Sequence, residues 1–159
     1  MVSQMVMYDE EYRRITAVCE KLCRDANARV VFVIDKNGQL IASEGQVDDL
    51  DGTSLASLVA GEIAATGGLA KLMGEKEFST LFHEGERDNL HISVVASRMI
   101  LVVIFDNRSS LGLVRLRVKK GSEELTHIVA DLQRRSEEAG PQSPFAEITD
   151  DDIDKLFSV

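Results

Sequence analysis

The sequence predicts a single α/β domain of the α+β kind, in the order α-β-β-α-β-β-β-α. A five-stranded, antiparallel-rich sheet would carry helices on both faces. Three observations carry this prediction. Val30–Ile34 and Met99–Phe105 are apolar at every position, the mark of central strands buried on both sides. Asp35-Lys36-Asn37-Gly38 directly follows the first of them, and Asn-Gly is the strongest short-range hairpin signal. Three longer stretches repeat apolar residues at helical spacing between and around these strands.

In chain order, Tyr8–Arg24 reads as a helix, with Tyr12, Ile15, Val18, Cys19 and Leu22 on one side and charged residues between them. Arg29–Ile34 and Gln39–Ser43 are the two arms of the hairpin, and Glu44–Gly52 is a polar loop. Asp51, Thr53 or Ser54 can cap the next helix, Ser54–Met73. Phe78–Glu84 is short and mixed, as an edge strand is, and Leu90–Ala96 and Met99–Phe105 follow it. LVRLRV alone resembles a strand. The wider period of Leu111, Val114, Val118, Leu125, Ile128 and Leu132 makes Leu111–Arg135 a helix. Residues 1–135 therefore form the domain and 136–144 a flexible linker. Residues 145–159 form an acidic tail with a short helix, in which Phe145, Ile148, Ile153, Leu156 and Phe157 are spaced among aspartates.

The helix Ser54–Met73 is the unusual element. Leu55, Leu58, Val59, Leu69, Leu72 and Met73 gather on one side and are expected on a core. Glu62 and Thr66 fall awkwardly within that arc, a place suited to a subunit boundary. The other side holds Ser57, Ala60, Gly61, Ala64, Gly67, Gly68 and Lys71, almost bare backbone. A glycine inside a helix costs about 1 kcal/mol against alanine, so close approach of something is implied. Two readings stand: a protein partner docks there, or another part of the same chain packs there.

Composition narrows the function. The chain has 159 residues and a net charge of −9, which argues against nucleic acid, whose binding rests on neutralising phosphates. From Ser136 onward seven acids face one base, Lys155. No apolar run approaches the ~20 residues of a membrane span, and no signal peptide is evident, so a cytoplasmic protein without direct membrane insertion is expected. Cys19 and Cys23, four apart on a helix, suit small core residues in a reducing compartment.

No catalytic, metal-binding or cofactor-binding set is found. His83, His91 and His127 are scattered and read as strand-end or surface residues. The glycines of Gly61–Lys71 lie inside a helix and lack the GK[ST] of a phosphate loop. Asp150-x-Asp152-x-Asp154 echoes a calcium loop but has Lys155 where glycine is required, and acids at a helix start explain it better.

Four segments together carry a resemblance: VFVIDKNGQLIAS, SLASLVAGEIAATGGLAKLMGE, ILVVIFDNRSSLGLVRLRVKK and the tail SPFAEITDDDIDKLF. With them the whole chain resembles the roadblock family, whose fold is longin-like and profilin-like. The resemblance implies a homodimer with one continuous sheet, joined at the edge strand through Phe78, Thr80, Leu81 and Phe82. The two central helices would lie side by side. It also implies a partner: bacterial members activate GTP hydrolysis by a Ras-like small GTPase, one per dimer, in cell polarity and gliding motility. The bare helix face then falls where the GTPase would dock, and enrichment at a cell pole is expected.

The resemblance implies activation without an arginine finger, although Arg87, Arg98 and Arg108 lie in or beside loops as candidates. It implies that the tail docks on the GTPase and modulates nucleotide exchange. The rival reading is a homodimeric scaffold that leaves GTP turnover unchanged. A third, a ligand-sensing domain, would need a polar-lined cavity between sheet and helix, for which the strands show few inward polar residues.

Overall fold

The computed structural model describes residues 6–139. The predicted tail residues Phe145, Ile148, Ile153, Leu156 and Phe157 lie outside the described residues. Eight elements follow in the predicted order: α1 (Asp9–Asp25), β1 (Val30–Asp35), β2 (Leu40–Gly45), α2 (Gly52–Met73), β3 (Thr80–Glu84), β4 (Asn89–Val95), β5 (Met99–Phe105) and α3 (Leu111–Glu138). The sheet order is β2-β1-β5-β4-β3, and each neighbouring pair is antiparallel.

Strand alternation splits the core into two layers. Val31 and Val33 of β1 and Leu101 and Val103 of β5 face α1 and α3, where Ile15, Cys19, Val118, Leu125 and Leu132 meet them. Val30, Phe32 and Ile34, with Ile100, Val102 and Ile104, face α2 and its Ala56, Val59 and Ile63. Both central strands are buried along their full length, as their unbroken apolar runs require.

The α1–α3 pair is antiparallel. Gly121 lies in their seam, where an added Cβ would make an ordinary contact with Leu22 at 3.5 Å. Ion pairs line the seam: Arg14 to Asp131 at 2.6 Å and Arg135 to Glu10 at 2.7 Å. Arg135 also lies over the Tyr8 ring at 5.3 Å and stands 3.2 Å from the buried Glu11 carboxylate, a charge contact without hydrogen-bond alignment. This clasp carries α3 through Ser136, Glu137 and Glu138, which the sequence reading gives to the linker. Ser110 caps the other end, accepting from the Leu113 N–H at 3.2 Å. Tyr12, expected on the buried side of α1, is 46% exposed.

The hairpin closes on Gly38 (φ +91°), with the Asp35 carboxylate accepting from the Asn37 and Gln39 N–H groups at 2.9 Å. At the far end of β2, Gly45 has φ +99° and a Cβ there would lie 2.2 Å from the Arg29 carbonyl oxygen. Gly45→Ala should therefore destabilise the domain by about 3 kcal/mol or more. Gly112→Ala, in open space on α3, should cost nothing or gain up to ~1 kcal/mol. Urea unfolding of the two variants checks the pair.

Candidate partner-binding surface

The sequence sets the ends of α2 firmly. Asp51 accepts from the Ser54 N–H at 3.1 Å and from its hydroxyl at 2.7 Å, and this holds the Asp51 carboxyl below its usual range. Gly74, at φ +78°, stops the helix, with the Glu75 N–H returning to the Ala70 carbonyl at 2.8 Å.

Its faces differ from those the sequence suggests. The buried side is Ala56, Val59, Ala60, Ile63 and Ala70. Of the six residues expected on the core, Val59 is buried and Leu55 half-buried. Leu58, Leu69, Leu72 and Met73 are 75%, 51%, 87% and 63% exposed. The cause is steric. The sheet already offers Phe32, Ile34, Ile100 and Val102, so the helix beds down on its alanines with Val59 and Ile63 and turns its leucines outward. By length and composition α2 is also apolar enough to cross a membrane, contrary to the sequence expectation that no stretch is. It carries Glu62 and Lys71, and one of its sides covers the sheet.

Two distinct causes underlie the small-residue flank. Ser57 and Ala60 lie against the hairpin: a Cβ on Gly38 would be 3.2 Å from Ser57 Cα and 3.4 Å from Ala60 Cβ. Packing within the chain explains that half, and Ala60, buried, is not available to a partner. Among the described residues, Gly61, Gly67 and Gly68 meet nothing within 4 Å of an added Cβ. Ala64 and Lys71 are exposed beside them. Intramolecular packing thus leaves these three glycines unexplained. At 100° per residue, Leu58, Gly61, Ala65, Gly68 and Leu72 fall on one outer line at alternating three- and four-residue spacing. That is the seam of a helix that packs closely on another. The stripe is present in the sequence, but periodicity alone places its leucines inward.

Glu62 and Thr66 are settled within the chain. The Glu62 carboxylate pairs with the His83 ring on β3, and the Thr66 hydroxyl donates to the Glu62 carbonyl at 3.0 Å. Strand β3 is hydrogen-bonded to β4 alone among the described residues. Of the residues expected at a dimer edge, Phe82 stacks on Phe105 with ring centres 6.2 Å apart, and Leu81 packs on the α2 side. Phe78 is half-buried and Thr80 exposed. The outer backbone of β3 therefore remains for pairing, more than these apolar side chains.

The arginines are engaged or peripheral. Arg108 donates to Asp106 at 3.0 Å, and Arg98 faces the Gln133 amide at 2.7 Å once that amide oxygen is turned toward it. Arg87 lies exposed in the β3–β4 loop. Burial pushes the Cys19 thiol up to about 12, which removes its nucleophilic form. Among the described residues, no three His, Cys, Asp or Glu side chains cluster to hold a metal ion. His91, expected at a strand end or surface, is buried in mid-strand.

The sheet, the paired helices on one face and the lone apolar helix on the other define a roadblock/LC7 domain. The model of that family matches residues 14–105, and the chain belongs to the family. Among solved structures it is similar to Myxococcus xanthus MglB, at 64% identity and a TM-score of 0.77, over 80% of this chain and 96% of that one. The gliding protein MglB of Thermus thermophilus matches at 35% identity and a TM-score of 0.76, over 82% and 99%. An MglB described with a tetrameric arrangement matches at 33% identity and 0.77, over 83% and 99%. No curated protein sequence matches the chain.

Ile63→Ala should cost about 2–4 kcal/mol in urea unfolding at every protein concentration, since it opens a cavity under α2. Leu72→Ala should cost at most ~0.5 kcal/mol at dilutions where the protomer is free, with any larger loss confined to concentrations that keep it associated.

Proposed function

We propose that the protein is a homodimeric regulator of a Ras-like small GTPase of the MglA type and accelerates its GTP hydrolysis. The observation that carries this is the outer stripe of α2, large apolar residues and glycines in open space, on a chain 64% identical to MglB. The apolar seam of Leu58, Gly61, Ala65, Gly68 and Leu72 joins two α2 helices, and the edges of β3 pair beside them. Across this platform Ser57, Ala64, Gly67 and Lys71, which flank the seam, meet one GTPase per dimer. Of the expected docking set, Ala60 is withdrawn because it is buried, and Gly61 and Gly68 go to the seam between the helices. The protein has no active site of its own. It lowers the barrier by holding the GTPase's catalytic groups in place, through orientation and preorganisation. Its place of work is the cytoplasm, enriched at a cell pole, in polarity and gliding motility.

Single-turnover GTP hydrolysis by an MglA-type GTPase, with and without this protein, tests the reading. Stimulation is expected. Binding with unchanged turnover would leave a scaffold instead. Ala64→Arg should abolish stimulation and leave the protein folded and dimeric, because Ala64 is exposed beside the seam and not in it. Arg87→Ala, Arg98→Ala and Arg108→Ala should each lower the stimulated rate far less than the roughly 10³-fold loss of a true arginine finger.

The tail has a separate role in this reading. Ile153, Leu156 and Phe157 recur at helical spacing behind a run of aspartates, and about eight residues hold no helix alone in water. It folds on the GTPase, adds affinity and affects nucleotide exchange. Removal of residues 144–159 should weaken GTPase binding or slow exchange while the protomers stay associated. Leu156→Ala with Phe157→Ala should do the same. If both behave as the full chain does, the tail is a solubilising appendage.

A further inference from the structure

On the face of the sheet opposite α2, strand β4 breaks the apolar rule of its neighbour. Where β5 presents Leu101 and Val103, the paired positions of β4 are Ser93 and His91. Both are nearly sealed, at 7% and 2% exposed. They satisfy each other poorly, since Ser93 Oγ and His91 Nδ1 stand 3.5 Å apart, and among the described residues the imidazole has no other hydrogen bond. Two buried polar side chains so loosely paired need another partner.

They line a groove of about 450 Å³ between β3, β4 and α3, the size class of small-molecule sites. The rest of its wall is Ser79, Thr80, Ser122, Arg115 and Lys119, with Val94 and Val118. Arg115 and Lys119 are one helical turn apart on α3, and among the described residues neither forms an ion pair, on a chain of net charge −9. Among the described residues no acid lines the groove. Burial first, and then the Arg115 charge, hold the His91 imidazole below its ordinary range.

We propose that this groove binds a small phosphomonoester: Arg115 and Lys119 take the dianionic phosphate, and the Ser93, Ser122 and Thr80 hydroxyls and the His91 ring complete its hydrogen bonds. The donor set exceeds what a planar carboxylate with two oxygens can use, and two unpaired cations match the two charges of a phosphate ester. The volume leaves room for an organic group about the size of a nucleoside. The site is separate from the α2 platform. Pairing at the free edge of β3 engages its backbone and leaves side chains on this face of the sheet where they are.

The test is backbone-amide NMR on the full chain at constant ionic strength, with inorganic phosphate, adenosine 5′-monophosphate and acetate as probes. Phosphate and the mononucleotide should move the resonances of residues 79–80, 91–94 and 115–122 saturably in the millimolar range, the mononucleotide more tightly, and acetate should not. Arg115→Ala with Lys119→Ala should weaken this about tenfold or more. Lys21→Ala with Lys120→Ala, on α1 and on the opposite flank of α3, should leave it unchanged and controls for net charge. Three results would overturn the assignment: no saturation with either phosphate probe, equal weakening by the control pair, or binding that emerges only after residues 144–159 are removed. The last would mean that the chain's own aspartates occupy the groove.

Discussion

Everything in this structure depends on how unevenly three helices cover one sheet. Five strands about 4.8 Å apart span roughly 19 Å between their outer axes, while a helix with its side chains is about 10 Å wide. The two central strands, β1 and β5, are apolar on both sides and must be roofed on both. On one face, α1 and α3 do this as a pair held by Arg14 and Arg135. On the other, α2 does it alone. It can only do so by lying low over β1 and β2, its small residues against the Gly38 turn. Leu81, Leu90 and Val94 on the β3 side are left partly uncovered, and among the described residues the outward leucines of α2 are left with no partner of their own. The seam and the free edge of β3 are thus two results of one shortage of cover.

That shortage explains which parts of the molecule are legible in the sequence. Strands with unbroken apolar runs and an Asn-Gly turn can be placed to within a residue or two. So can α1 and the start of α3, whose charged and apolar faces are separate, while the end of α3 runs past the expected Arg135 to Glu138. The faces of α2 cannot. Periodicity locates a core by contrast, and α2 has apolar residues all round, so it points the leucines inward when the sheet takes the alanines, Val59 and Ile63. The glycines do carry signal. They mark a close approach, but a single sequence cannot divide them into those that answer to Gly38 and those that face open space. His91 shows a different blindness. Its alternation with Leu90 and Ile92 is visible, yet whether the polar side of β4 meets water or a helix depends on where α3 crosses, which no local pattern records.

The same uneven cover gives the domain two working faces of opposite character. Over α2 the surface is apolar and glycine-bearing, suited to shape complementarity with a protein. Over β4 it is cationic and hydroxyl-lined, suited to a small charged group. Between them the Glu62–His83 pair ties the middle of α2 to the edge strand, so the position of the helix and that of β3 are linked through one contact. Lys36 does the same for the hairpin, reaching Glu77 at 3.1 Å just before β3.

The sheet order also has a consequence for synthesis. β1 leaves the ribosome early, but its inner neighbour is β5, and Val30 lies opposite Ile104. The Arg135 clasp on α1 is later still, joining residues 125 positions apart. Until the last strand and the last helix have emerged, the β1–β2 hairpin has one bare edge and both faces lack most of their roof. Contacts of such long range make folding slow and leave nascent chains prone to mispairing. Vectorial growth therefore gives this small domain no folded half to wait on. It has to assemble as a whole, and only after most of its length has been made.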